Sequence, residues 1–185
     1  MVSDIAAVCY CRLIAASIKS KNVAPDTYEY LLPSASSLVG PWEVLGNAFH
    51  FALRRLPVLH SQRKGWVTPS DCVLLEDVSD SLLAEILLQE ELPLVLLKSS
   101  TLRTTLIEKK VCLHATTPAY VRSYFSKRAP ASKDNIFGGS LEDSKRRIEY
   151  AKHLLLYCIS DLDVTRYKEL NGCQFIPLAN GELGM

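Results

Sequence analysis

A few places in this sequence hold residue types whose spacing could support chemistry. Cys112 and His114 stand two apart, so an extended segment would turn both to one side, as a thiol nucleophile and its base require. Apolar Val111 and Leu113 flank the pair and no orienting carboxylate is near, which points to packing instead. Asp161 and Asp163 form a close carboxylate pair at a helix end, where capping is a simpler role than metal binding or acid/base work. Cys9 and Cys11, two apart on a helix, point about 200° from each other and have no further ligand beside them, so they do not converge as zinc ligands must. Gly138-Gly139 lacks the Gly-Lys-Ser/Thr or spaced glycine triplet of a phosphate loop.

The other histidines, His50, His60 and His153, form no His-Glu-x-x-His set with His114. His50 and His153 fall beside the apolar stripes of their helices and read as boundary or surface residues. Lys145-Arg146-Arg147 lies in the first turns of a helix, where cations are slightly unfavourable against the dipole; a solvated face or a partner contact would accommodate it. Arg122, between Tyr120 and Tyr124, reads as a buried or half-buried polar anchor.

Helices and strands must position these residues. The spacing of Ile5, Cys9, Leu13 and Ala16 predicts a helix over residues 3–19 with that stripe inward. A second helix is predicted after Gly40, with Pro41 at its tolerated first position and Leu45, Ala48, Phe49, Ala52 and Leu56 facing the core. Residues 57–60 and 66–68 read as strands joined by a hairpin loop that Gly65 closes. Thr68-Pro69-Ser70-Asp71 carries a cap, a proline and an acidic residue, and so predicts a brief helix or turn before a strand at 72–75. A helix over 79–91 presents Leu82, Leu83, Ile86 and Leu87, and Pro93 ends it. Leu94 to Leu97 is apolar without alternation, the pattern of a strand covered on both faces. Three more helices start at Ser99 or Ser100, at Thr117-Pro118, and at Ser140, the last with Ile148, Ala151, Leu155, Cys158 and Leu162 on one side. Asn180-Gly181 near the end signals a hairpin.

These elements imply a mixed α+β chain: a small mixed sheet with flanking helices, then a mainly helical part and a C-terminal β-hairpin. The reading divides it into an α/β segment over 1–128, a loop or linker over 129–139, and a helix plus truncated hairpin over 140–185. Composition limits the function. The chain has 185 residues, 48% of them apolar, and a net charge of +1, which gives no electrostatic reason to expect nucleic acid. No apolar run approaches the roughly 20 residues that cross a bilayer, so no membrane is expected. Asp4 and Arg12 argue against a signal peptide, and six scattered cysteines read as reduced core thiols of a cytoplasmic protein.

The order of its motifs resembles the sacsin repeat region of large chaperone-like proteins. Carrying the resemblance are Pro41-Trp42 with Phe49, Leu56-Pro57-Val58-Leu59, Gly65-Trp66-Val67-Thr68-Pro69 and Leu92-Pro93-Leu94-Val95. Thr117 to Arg122, Leu155 to Asp161, Leu170-Asn171-Gly172 and Phe175 to Gly181 continue it. In that family a GHKL-type ATP-binding domain precedes such a segment. Its acidic-plus-asparagine helix and Asp-x-Gly-x-Gly loop are absent here, so the resemblance implies a portion downstream of the nucleotide site, with no catalytic residue, metal or cofactor to carry over. Asn180 stands where family members often have aspartate, and it tolerates the same turn. The expectation is a non-enzymatic scaffold that meets protein clients or co-chaperones and takes no small-molecule substrate. The competing expectation is a small thiol-dependent hydrolase using Cys112 and His114.

Overall fold

The computed structural model describes residues 2–20, 50–90, 92–127, 143–173, 175–177 and 183–184. In chain order the elements are α1 (Val2–Lys19), β1 (Leu59–Ser61), β2 (Gly65–Val67), β3 (Val73–Leu74), α2 (Ser81–Gln89), β4 (Leu94–Val95) and α3 (Ser100–Glu108). They continue with β5 (His114–Ala115), α4 (Pro118–Lys127), α5 (Asp143–Ile159), a 3-10 helix (Val164–Leu170), β6 (Ile176–Pro177) and β7 (Leu183–Gly184). Helices and small sheets are mixed, as the sequence predicts. The chain divides into two compact units, Met1–Val78 with Glu91–Ala115 and Ser79–Glu90 with Thr116–Met185. The linker predicted at 129–139 lies outside the described residues.

In the first unit β1 and β2 pair antiparallel, with His60 opposite Trp66 and their rings edge to face at 5.2 Å. The predicted hairpin forms because Gly65 takes φ +68°, a conformation that a side chain would oppose. The Thr68 to Asp71 segment is a turn, closed by the Asp71 amide on the Thr68 carbonyl at 3.1 Å and by the Thr68 hydroxyl on Asp71 Oδ2 at 2.5 Å. β3 then lies between β4 and β5 in a three-stranded parallel sheet, Val73 opposite both Leu94 and His114. Leu94, Val95 and Leu97 are fully buried, which fits the unalternating run. Ser99 caps α3 by accepting from the Leu102 amide at 3.2 Å.

The buried face of α1 differs from expectation. On α1 the residues packed into the core are Cys11, Ile14 and Ala15, whereas Ile5 is 61% and Leu13 65% exposed, and Cys9 and Ala16 are exposed too. Residues 5–11 are apolar on nearly every side, so periodicity alone admitted either face. In the second helix only residues 50–53 are described as helical; Leu53 is the buried residue, Ala52 and Leu56 pack half-buried against the core, and Leu45, Ala48 and Phe49 lie outside the described residues.

The second unit packs α2 and α4 against α5, and α5 against β6. Asp80 caps α2, accepting from the Leu83 amide at 2.9 Å, and Leu83, Ile86 and Leu87 are buried as predicted, while Leu82 is half-buried. Thr117 caps α4 through the Tyr120 amide at 3.2 Å. On α5 the buried residues are Tyr150, Ala151, Leu154 and Cys158, with Leu155, Ile148 and Leu162 half-buried, so the inward face is turned from the predicted one. β6 and β7 pair antiparallel, Pro177 opposite Leu183. The Asn180-Gly181 turn between them lies outside the described residues.

Candidate functional site

Arg122 gathers the densest set of polar contacts. It sits on the inner side of α4 and is 2% exposed, among the largest fully buried side chains described. Burying a guanidinium is costly unless its N–H groups find acceptors, and both Nη groups do so here while Nε does not. Its Nη1 donates to the Cys158 carbonyl at 2.5 Å and to Asp161 Oδ1, and its Nη2 donates to Asp161 Oδ2 at 3.2 Å and Glu169 Oε2 at 2.6 Å. The bidentate grip on Asp161 uses the planar fork that lysine lacks. Arg166 adds its Nε to Glu169 Oε1 at 2.8 Å, so two arginines and two carboxylates close one network. The predicted polar anchor is therefore present, but acidic residues 39 and 47 positions away hold it, not the neighbouring tyrosines.

The Asp161/Asp163 pair separates into two structural tasks. Asp161 faces Arg122. Asp163 caps the 3-10 helix, accepting from the Thr165 amide at 2.9 Å and the Thr165 hydroxyl at 2.5 Å. Hydrogen bonds from Arg122 hold the Asp161 carboxyl below its ordinary range, and those from Arg122 and Arg166 do the same for Glu169. With depressed folded-state values the unfolded chain binds more protons, so this contribution is complete above the ordinary carboxylate range and is lost as pH falls through it toward the folded values. Acid titration below about pH 4 should destabilise the native chain more steeply than an Arg122→Leu variant, read by urea unfolding across pH. Parallel acid limbs for the two proteins would contradict this.

A second polar pair joins Asp80 to His153, whose Nε2 lies 2.9 Å from both carboxylate oxygens. His153 is the half-exposed boundary residue that the sequence suggested, and its partner doubles as the α2 cap. Within the basic run, Arg146 pairs with Glu85 and lies 5.4 Å from the Tyr150 ring centroid, while Lys145 is exposed. The run is thus a surface face on which, among the described residues, Arg146 forms an ion pair. His50 is half-buried, and desolvation followed by the charge of Lys109 lowers its pKa.

The thiols are mostly core residues. Cys11, Cys72, Cys112, Cys158 and Cys173 are buried and Cys9 is exposed. Cys112 lies with its sulfur 3.8 Å from that of Cys72, and that contact and burial push its pKa up, while His114 is exposed on β5. A thiolate nucleophile at Cys112 is disfavoured on both counts. Burial also raises Cys11 and Cys158 to about 12. Brief treatment of the native chain with N-ethylmaleimide should therefore modify Cys9 alone, and intact mass should show six adducts after unfolding. A second rapidly modified native thiol would refute the burial pattern.

Among the described residues, no group of three or more His, Cys, Asp or Glu side chains is placed to hold a metal ion, and no helix is long and apolar enough to cross a membrane. No family model, curated protein or solved structure matches this chain.

Proposed function

We propose that this chain is a non-catalytic scaffold segment of a sacsin-like, chaperone-related cytoplasmic protein, and that its partners are other proteins. The ordered motif series supports the family. The observation that carries the non-catalytic reading is the Arg122 network: the most chemically loaded place described is occupied by its own side chains. Its two Nη groups are spent on two carboxylates and a carbonyl, which welds α4 to the end of α5 and to the 3-10 helix. A group so engaged serves architecture better than it could bind a substrate.

Two measurements on the intact chain test the reading. Calorimetric titration with magnesium-ATP should give no heat of binding, and turnover or micromolar binding would place a nucleotide site here and overturn it. Light scattering of a heat-denatured reporter enzyme should fall when the chain is added in stoichiometric amount without nucleotide. Unchanged scattering would count against the client-binding role.

A further inference from the structure

We propose that one corner of the first unit, formed by Arg54, Arg55, Lys109 and Lys110, docks an acidic peptide segment of a protein partner, with the Phe51 ring as its apolar contact. The proposal rests on the scaffold reading and names the chemistry of the partner.

Two chain ends meet at this corner. The helical stretch at 50–53 runs into a turn at Arg54-Arg55, and α3 ends in Lys109-Lys110. Arg54 Nε donates to the Lys110 carbonyl at 2.5 Å and so ties the two turns together across 56 residues of sequence. Lys109 lies close enough to His50 to oppose its protonation. Arg55 lies over the Phe51 ring, 4.7 Å from its centroid, and Phe51 is 54% exposed. Arg55, Lys109 and Lys110 are exposed and Arg54 is half-buried.

These cations differ from three arginines that carry ion pairs. Arg122, Arg146 and Arg166 each face a carboxylate. Among the described residues, none of the four corner cations forms an ion pair. Among the described residues, the carboxylates nearest in sequence are Asp71, which accepts from Thr68 and Ser70, and Glu108 on α3. Helix dipoles favour a cation near each C-terminus, which accounts for part of the cluster.

Lys110 needs another account. The Val111 amide bonds the Leu106 carbonyl at 2.8 Å and the Lys110 amide bonds the Ile107 carbonyl at 2.9 Å. This is the helix ending that glycine fits best, because its penultimate residue is left-handed. Lys110 adopts φ +53° there. Glycine would make the same turn without steric cost, so the left-handed backbone does not call for a side chain at this position. Its charge instead adds to a corner whose cations have no ion-pair partner among the described residues.

Carboxylates suit this surface because each guanidinium can grip one bidentately, while an apolar or aromatic residue of the peptide covers Phe51. Nucleic acid fits less well, since four cations provide few phosphate contacts on a chain of net charge +1. The full chain would be titrated into a fluorescein-labelled peptide of glutamate, leucine and phenylalanine, with anisotropy as readout at low and at about 150 mM salt. Binding should weaken at least tenfold in a Lys109→Glu, Lys110→Glu variant, and measurably in Lys110→Gly, whose melting temperature should not fall. Arg146→Glu, in the second unit, should leave the affinity unchanged.

Equal binding of the corresponding lysine peptide would overturn the proposal, as would affinity indifferent to Lys110→Gly and the double reversal. Tighter binding of a single-stranded oligonucleotide would overturn it in favour of nucleic acid. Should the peptide fail while the chain still suppresses aggregation, the corner falls and the scaffold reading stands. Failure of both removes the scaffold reading itself.

Discussion

Replacing Arg122 by alanine is expected to cost the chain about 3 kcal/mol and to lower its melting temperature by roughly 6–12 °C. Removing one partner of a buried ion pair ordinarily costs about 3–5 kcal/mol. Two features pull the value to the lower end. Asp161 and Glu169 are 37% and 40% exposed, so water can take over part of what the guanidinium supplied, and Arg122 Nε has no hydrogen-bond partner to lose. Two features work against complete recovery. The Cys158 carbonyl loses its donor, and a fully buried side chain leaves a void. Arg122→Lys keeps the charge, but a single ammonium cannot hold both oxygens of Asp161 and reach Glu169, so a loss of about 1–2 kcal/mol should remain. Chemical and thermal unfolding of the three proteins would measure the series. A loss below about 1 kcal/mol for alanine would show that packing around α4, not the guanidinium, fixes the three elements.

What could be read from the sequence was local. Gly65, Ser99 and Thr117 each carry their instruction within a few residues and form the element they predict, and the 94–97 run forms a strand over its first two residues, Leu94–Val95. Faces of uniformly apolar helices were harder. Ile5 to Cys11 offers hydrophobic surface in nearly every direction, and the core took Cys11, Ile14 and Ala15. Partners distant in sequence were not legible at all. Arg122 could be recognised as an anchor from its place on an apolar helix, yet nothing in its spacing names Asp161 or Glu169. The pairing of Asp80 with His153 and of Arg54 with Lys110 is hidden for the same reason: topology, not periodicity, brings them together.

The same topology makes Phe175 the other costly position. Phe175 is fully buried, with its ring edge-on to Phe125 at 5.5 Å and 83°. It docks the segment leading into β6 on α4, helped by two neighbours. Gly172 takes φ +84°, which disfavours a side chain, and lies beside Ser126 at ordinary contact distance. The Cys173 thiol donates to the Arg122 carbonyl at 3.6 Å. Phe175→Ala should cost about 3–4 kcal/mol, from lost burial, residual cavity and the aromatic contact, which alone contributes about 1 kcal/mol. Phe125→Ala should cost a similar amount, and the double variant should fall short of the sum by about 1 kcal/mol. Hydrogen exchange separates docking from general weakening: the Cys173 amide, bonded to the Leu170 carbonyl at 3.0 Å, should lose protection before amides of α2 do. Because Cys173 bonds the backbone of Arg122 itself, Phe175→Ala combined with Arg122→Ala should also be less than additive. Strict additivity would mean that the C-terminal segment and the arginine anchor hold α4 independently.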